Sequence, residues 1–437
     1  MAYPTILFNA STGSDSLSSG AGPATAINGS GASLNGTTTV DLSADSPDLS
    51  GVATDGSACL WVQTSSGRQF SQITATDNSL KTVTVNTAYS VTESSRNWAI
   101  GGKRATWDNA DSRTVFFDAQ QGWDIVTETN QSLTSSLSIT ADGTTNGSVT
   151  VRGSDPNTLK QIIQTTNAKG LQLDIASYVT IKDLHIVTNI TNTNTAIASR
   201  GSFQVFCNIL IDDAGGFSWQ NGFSRNGGTP AGNLYNVRIY DCTGDGFSDV
   251  GTGPIIGRFV NCVSSNNGGN GISSNVPVHL INCLFCGNGS NGILADAECF
   301  VARCATSGNA DDGIEVTGYG SLVVDNVITS NGGYGINADA EWKYGGVANS
   351  NAFFGNTSGQ VNNITNGPDD ITLTADPFTD AANGDFTLNT TAGGGAELRS
   401  NAFTLGATET RPFRWLDVSA GTGGGVRQVN IRGGADQ

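Results

Sequence analysis

The chain has 437 residues; Lys and Arg number 21 and Asp and Glu 38, a formal charge of −17, and only 14% of residues are charged. So acidic a balance argues against nucleic acid or an anionic membrane as partner, because both need clustered cations. One Met and 57 Gly speak against a helical protein, while 7 Trp, 18 Phe and 37% apolar residues speak against disorder, which leaves a Gly/Asn/Ser/Thr-rich all-β chain. At the N-terminus, Met1-Ala2-Tyr3-Pro4 leads into polar residues and the first basic residue is Arg68, so no targeting signal is read there. No run approaches the roughly 18 apolar residues of a membrane span, and the chain is expected to fold in the cytoplasm. A short apolar strand, Thr5 to Phe8, and the Gly/Ser/Ala/Thr-rich stretch to about residue 40 are assigned to an N-terminal cap, which covers the open end of a repeat.

From about 57 to 102, alternation in Cys59-Leu60-Trp61-Val62, Thr82-Val83-Thr84-Val85 and Trp98-Ala99-Ile100 predicts a small β subdomain with a turn at Asp77-Asn78. Residues 113 to 152 return to strand and turn and are expected to form the first coils. After Asp155-Pro156, Thr158 to Ile163 is the best short-helix candidate, with a loop as the other reading. Irregular coils follow to about 240, with strands at Val179 to Ile186 and Val237 to Tyr240. Asp212-Asp213, Phe217, Trp219 and Phe223 are placed in loops between them, where binding on a repeat scaffold tends to reside.

Between 255 and 360 the chain is periodic. Gly271-Ile272, Gly292-Ile293, Gly313-Ile314 and Gly335-Ile336 set their Ile residues 21, 21 and 22 apart. Ten positions before each Ile stand Cys262, Cys283, Cys304 and Asn326, and five before it stand Asn267, Asn288, Asn309 and Asn331; the template continues to Asn351, Asn356 and Val361. A period near 21 fits a coil of three short strands and three turns, with like residues stacked at about 4.8 Å. Phe259, Leu280, Val301 and Val323 are expected to point inward with the Ile column. The Asn column is expected to hydrogen-bond along the stack at a turn, and Gly to supply positive φ at other corners. Cys262, Cys283 and Cys304 form a thiol column, with Cys207 and Cys242 read as earlier members; the competing reading is zinc, from Cys283-x2-Cys286 and Cys299-x4-Cys304. No metal site is expected.

These coils resemble the pectin-lyase-like superfamily of right-handed parallel β-helices. Asp376-Pro377-Phe378 followed by Asn383-Gly384-Asp385-Phe386-Thr387-Leu388 is similar to the terminal coil common in that superfamily, and the resemblance covers roughly residues 145 to 398. It implies a right-handed single-stranded parallel β-helix, which gives a division into 1–112 (cap and β subdomain), 113–398 (β-helix) and 399–437. The last stretch carries Arg411-Pro412-Phe413-Arg414-Trp415-Leu416 and a Gly-rich run, and reads as an extended tail packed on the solenoid or on a neighbouring subunit.

Many β-helices of this kind act on polysaccharides, and glycosidic hydrolysis needs two flanking carboxyl groups. Asp311-Asp312 before Gly313 resembles the Asp-Asp step of polygalacturonases, but the companion Gly-His-Gly and Arg-Ile-Lys motifs are absent, and the expected reading is a solvated turn. Both histidines, His185 and His279, lie in strand patterns. Pectate lyases use calcium-binding carboxylates with an Arg base. Asp241, Asp245 and Asp249, or Asp296, Glu298 and Asp339 near Arg303, are the candidate sets for that chemistry.

The organisation also resembles β-helical spike and decoration proteins of tailed bacteriophages, commonly trimers. The leading expectation is therefore a non-enzymatic virion protein, a capsid decoration or short spike. It is expected to be assembled as a homotrimer in the host cytoplasm without cofactor, against capsid or tail proteins. A host-surface polysaccharide is its expected ligand, with Trp219, Trp342 and Tyr344 as glycan-stacking candidates beside the bland reading of core or subunit packing. The alternative is a polysaccharide lyase or glycoside hydrolase using Asp311, Asp312 or Asp245, with calcium if it is a lyase.

Overall fold

A computed structural model describes residues 5–8, 27–50, 52, 54, 59–65, 67–89, 91–101, 103–104, 107, 124–140, 149–173, 178–201, 203–213, 216–225, 232–249, 257–339 and 346–400. They belong to two compact units, Met1–Ile211 and Asp212–Gln437. Among the described residues the only helices are a 3-10 turn, Ala381–Asn383, and one short α-helix, Gly395–Ser400; the rest of the regular structure is strand, most of it wound as a right-handed parallel β-helix.

In the first unit, six strands (Ile27–Asn35, Thr39–Asp41, Cys59–Thr64, Gly67–Asp77, Thr82–Val85 and Thr92–Gly101) close an antiparallel barrel. Thr82–Val85 shows why: alternate residues are half-buried and buried, so Val83 and Val85 face a core shared with Leu34, Val40, Leu60, Val62, Ile73 and Ile100. Trp98 closes the core while its Nε1 donates to Asp45 Oδ2 at 2.7 Å. The Asp77 carboxylate accepts the N–H groups of Ser79 and Leu80, both at 2.9 Å, and so shapes the turn that returns the chain to Thr82.

The remaining strands of this unit pair in parallel. Thr5–Phe8 lies beside Asp124–Thr127, which pairs with Val149–Gly153, which pairs with Val179–Thr188. The helix expected at 158–163 is instead part of a strand, Lys160–Gln164. Asn157 N–H donates to Asp155 Oδ1 at 2.9 Å, which makes a tight turn rather than a helix cap. Buried Ile162 then sits between Gln131 and Ile186 of the neighbouring strands, whose backbones supply the partners that a helix would have to find within itself.

The second unit is the regular solenoid. Each coil has three strands, as in Gly257–Val260, Val263–Ser265 and Ile272–Ser274, and the three stack coil upon coil into three parallel ladders. In the first ladder Phe259, Leu280, Val301 and Val323 are in register; in the third, Ile272, Ile293, Ile314, Ile336 and Val361. Both columns are interior, apart from the partly buried Val361. Gly of the Gly-Ile pairs is there for proximity: a Cβ on Gly271, Gly292 or Gly335 would stand 2.5–2.6 Å from a carbonyl oxygen of the next coil. Near the C-terminus, Phe378–Asp380 and Asp385–Leu388 form an antiparallel hairpin in which Phe378 and Phe386 pack edge to face.

Candidate functional site

Each coil of the second unit bends twice on a residue with left-handed backbone. Asn261, Asn282, Arg303, Asp325 and Ser350 make the first bend, and Asn266, Gly287, Gly308, Ser330 and Gly355 the second, all with φ between 54° and 65°. Asn and Gly tolerate this conformation best. The residue after each bend aims its side chain along the stack. After the second bend, Asn267, Asn288, Asn309 and Asn331 each donate from Nδ2 to Oδ1 of the next Asn at 2.9 Å, ending on Asn356. The same Oδ1 atoms accept the backbone N–H of the preceding Asn.

After the first bend, Cys262, Cys283 and Cys304 hold the equivalent place and Asn326 and Asn351 continue it. Cys304 Sγ accepts the Cys283 N–H at 3.4 Å, and Asn326 Oδ1 accepts the Cys304 N–H at 2.8 Å. Two members assigned from sequence belong elsewhere. Cys242 follows left-handed Asp241 and gives its N–H to Asn267 Oδ1 at 3.0 Å, so it begins the Asn column; Val237, after left-handed Asn236, begins the Cys column. Cys207 precedes its bend residue, Asn208, and stands opposite Lys182 on a half-buried face. Burial pushes the thiols up, to about 11 at Cys299 and about 12 at Cys286, so both stay protonated at neutral pH. Among the described residues, no three His, Cys, Asp or Glu side chains converge as a metal site.

The candidate catalytic carboxylates lie where the chain enters the third ladder, and most of them are engaged in a ladder of their own. Asn221 Oδ1 accepts the Asp245 N–H at 2.9 Å, Asp245 Oδ1 the Asn270 N–H at 2.7 Å, and Asn270 Oδ1 the Asn291 N–H at 3.1 Å. Asn291 Oδ1 in turn accepts the Asp312 N–H at 2.9 Å, and Asp312 Oδ1 the Tyr334 N–H at 2.6 Å. Asp312 is therefore not a solvated turn residue. It is 4% exposed, and its second oxygen accepts Asn337 Nδ2 at 2.7 Å. Asp311 beside it is exposed.

Outward on the third ladder, in register, stand Ser273, Leu294, Glu315, Asn337 and Asn362. Asn291 Nδ2 donates to Glu315 Oε2 at 2.8 Å and Asn362 Nδ2 to Asn337 Oδ1 at 3.0 Å. Glu315 is pushed above the usual carboxylate range by burial, and further by Asp312, Asp311 and Asp296; Asp312 is raised by burial against the hydrogen bonds it accepts. Sequence reading missed both Glu315 and the Asx ladder. The available signal was an Asx residue before Gly in five successive coils: Asn221-Gly222, Asp245-Gly246, Asn270-Gly271, Asn291-Gly292 and Asp312-Gly313.

The other candidates are dispersed. Asp241 makes a bend, Asp245 caps the next coil, and Asp249 is interior, where Arg225 holds it through a two-pronged pair with Nε to Oδ1 at 2.6 Å. Asp296 accepts Thr317 Oγ1 at 3.1 Å, while Glu298 and Asp339 are exposed on the surface. Arg303 makes a bend, with its charge bearing on Asp325. His185 is buried, with Nδ1 3.4 Å from Gln161 Nε2, and His279 packs edge-on against Phe300. Trp219, expected in a loop, is 1% exposed, so its indole fills the interior and offers no face to a sugar; Phe223 is likewise buried, within the strand Asn221–Arg225. Trp342 and Tyr344 lie outside the described residues.

No protein-family model and no curated protein matches the chain. Among solved structures it is similar to pectate lyase Pel9A (16% identity, TM-score 0.47, 69% of this chain and 82% of that one). It is also similar to the A-module of the mannuronan C-5 epimerase AlgE4 of Azotobacter vinelandii (11%, TM-score 0.37, 62% and 95%). A third is ORF18 of Geobacillus virus E2 (15%, TM-score 0.38, 55% and 52%).

Proposed function

We propose that this chain is a carbohydrate-contacting scaffold carried on a tailed-phage particle, as a capsid decoration or short spike, and that the outward face of its third ladder meets the glycan. The observation that carries this reading is the use made of the carboxylates. Asp245 and Asp312 cap the backbone of the next coil, and the strip left toward solvent, with Glu315, Asn337 and Asn362, is amide and carboxylate chemistry suited to paired sugar hydroxyls. Cys207, Cys242, Cys262, Cys283, Cys286, Cys299 and Cys304 are free thiols, the state kept by a protein assembled in a reducing cytoplasm.

One observation favours a hydrolase or lyase instead. Glu315 is raised by burial and further by Asp312, Asp311 and Asp296, and a carboxyl that holds its proton more tightly than usual among other carboxyl groups is what a general acid requires. The full chain, incubated with acidic and neutral polysaccharides with and without calcium, separates the two. Retardation in affinity electrophoresis without new reducing ends or unsaturated products, weakened about tenfold (roughly 1.4 kcal/mol) in Asn337→Ala/Asn362→Ala, supports the scaffold. Product that disappears in Glu315→Gln overturns it in favour of the enzyme, and retention of no polymer sinks the carbohydrate reading altogether. Antibody against the chain that fails to label purified particles removes the virion assignment.

A further inference from the structure

The three ladders of the second unit share one backbone pattern, yet their outward faces differ. On a solvated sheet the outward positions are polar, and the third ladder largely complies with Ser273, Glu315, Asn337 and Asn362. The first ladder does not. Of its more exposed positions, one column reads Arg258, His279, Phe300, Leu322 and Val347, apolar from Phe300 onward, and the next reads Val260, Ile281, Val324 and Asn349, apolar up to Val324 with buried Ala302 between Ile281 and Val324. Val347 is 50% exposed; Tyr235, next to Val260 on the preceding coil, is 37% exposed, and Tyr319, in the turn leading into Leu322–Val324, is 56% exposed. Contiguous apolar surface of this kind on a soluble chain marks a protein interface.

We infer that the outward face of the first ladder in the second unit is where further copies of this chain dock. Charge selects the occupant. The chain carries −17, so copies repel except through nearly neutral surface. Around this face stand two cations, Arg258 and Arg303, and three carboxylates, Glu298, Asp325 and Asp369, a sum of −1 against −17 for the whole chain, and the opposite charges can pair crosswise between copies. Six coils at about 4.8 Å and strands of up to four residues at about 3.3 Å give roughly 380 Å², the size of an apolar interface centre whose rim the flanking turns would supply. The face is separate from the carbohydrate strip, so either inference can fail alone.

Light scattering on the full chain at micromolar concentration tests it. Two or three times the 45.0 kDa mass is expected, falling to a single chain in Val260→Lys/Leu322→Lys with an unchanged circular dichroism spectrum. Asn337→Lys, on the third ladder, is expected to leave the assembly intact. Should the double variant misfold, Ile281→Cys in the otherwise native chain is expected to cross-link copies under mild oxidation, and Asn337→Cys is not. A native chain that stays at 45.0 kDa, or an assembly that survives the lysines, or cross-links forming at 337 and not at 281, overturns the inference.

Discussion

Replacing Asn309 by Ala is expected to be among the most damaging single changes in the second unit, although it removes no apolar surface. Its Oδ1 accepts the Asn288 N–H at 3.1 Å and Asn288 Nδ2 at 2.9 Å; its Nδ2 donates to Phe285 O at 3.2 Å and to Asn331 Oδ1 at 2.9 Å. After substitution Asn331 Oδ1 keeps the Asn309 N–H and Asn288 Nδ2 keeps Ser264 O, but the Asn288 N–H loses the acceptor that faces it. The site is 2% exposed, so water cannot replace what is lost. One orphaned N–H at about 1–3 kcal/mol, with three weakened groups at about 0.5–1 kcal/mol each, gives about 2.5–6 kcal/mol. At an m-value of about 3 kcal/mol/M, the urea midpoint read by circular dichroism drops by ~0.8–2 M. Hydrogen exchange should show the loss first at the Asn288 amide. Asn362→Ala is the control, because its Nδ2 makes a similar bond to Asn337 at 3.0 Å from a partly exposed position; about 1 kcal/mol or less is expected. Equal effects of the two substitutions, within ~0.5 kcal/mol, would refute the reasoning that burial of the ladder is what makes it strong.

Cys304→Asn extends the Asn run of its own column at nearly constant volume and replaces weak thiol hydrogen bonds by amide ones, so it is expected to raise the urea midpoint by an amount equivalent to about 1 kcal/mol; a loss beyond ~2 kcal/mol would mean that the column needs sulfur. Arg225→Met leaves Asp249 interior and unpaired, and is expected to lower stability by about 3–5 kcal/mol at pH 7 and by less as the pH is lowered, because burial already raises Asp249 and favours its protonated form, with Arg225→Met/Asp249→Leu recovering most of the loss. The two units are expected to answer acid with opposite sign. In the barrel, Asp41 and Asp77 are held below the usual value of 3.8 by hydrogen bonds from Ser43 and Ser79, so that stability is present above it and is lost as pH falls through the lowered values. In the second unit, burial raises Asp312, Glu315, Asp325 and Asp370, so the native state binds more protons than the unfolded one between the ordinary and raised values, and stability falls as pH rises through that window. Limited proteolysis at pH 7, 5 and 3 should find the second unit more resistant at pH 5 than at pH 7 and the barrel weakened only at pH 3; a uniform response of both units contradicts this.

The ladders that were legible in the sequence are those whose residue type and spacing both repeat. Asn267, Asn288, Asn309 and Asn331 are set 21 or 22 apart because parallel in-register strands place one side chain directly over its equivalent, and each position then meets the same demand. The Asx ladder escaped notice because either Asn or Asp can supply the capping oxygen, and because its first intervals, 24 and 25, carry longer rungs. Those same rungs moved Cys242 into the wrong column: it lies 20 before Cys262 but 25 before Asn267, and the interval alone could not tell them apart. Trp219 does lie between strands, as expected, but of its two readings the core-packing one holds, since a polar neighbourhood in sequence says little about a ring whose surroundings are set by neighbouring coils.

Backbone pairing is alike in all three ladders, so nothing in the coil itself requires their outward faces to differ. In the second ladder every residue of Val263–Ser265, Leu284–Cys286, Ala305–Ser307 and Val327–Thr329 is buried; since successive residues of a strand point to opposite sides, both sides of it are out of solvent. The first ladder turns Phe300, Leu322 and Val324 outward, while the third turns Glu315, Asn337 and Asn362. Inward columns are fixed by stacking and would be the same whatever the solenoid did. Outward columns are free of that demand, and their division into buried, apolar and polar faces is where selection other than folding has left its mark. Carboxylates at the turns carry no such information: Asp245 and Asp312, drawn from two different candidate sets for chemistry, are held by the same capping role as Asn270 and Asn291. A catalytic role on this coil has to be sought in residues that folding does not need, and by that criterion Glu315 is the carboxylate to test.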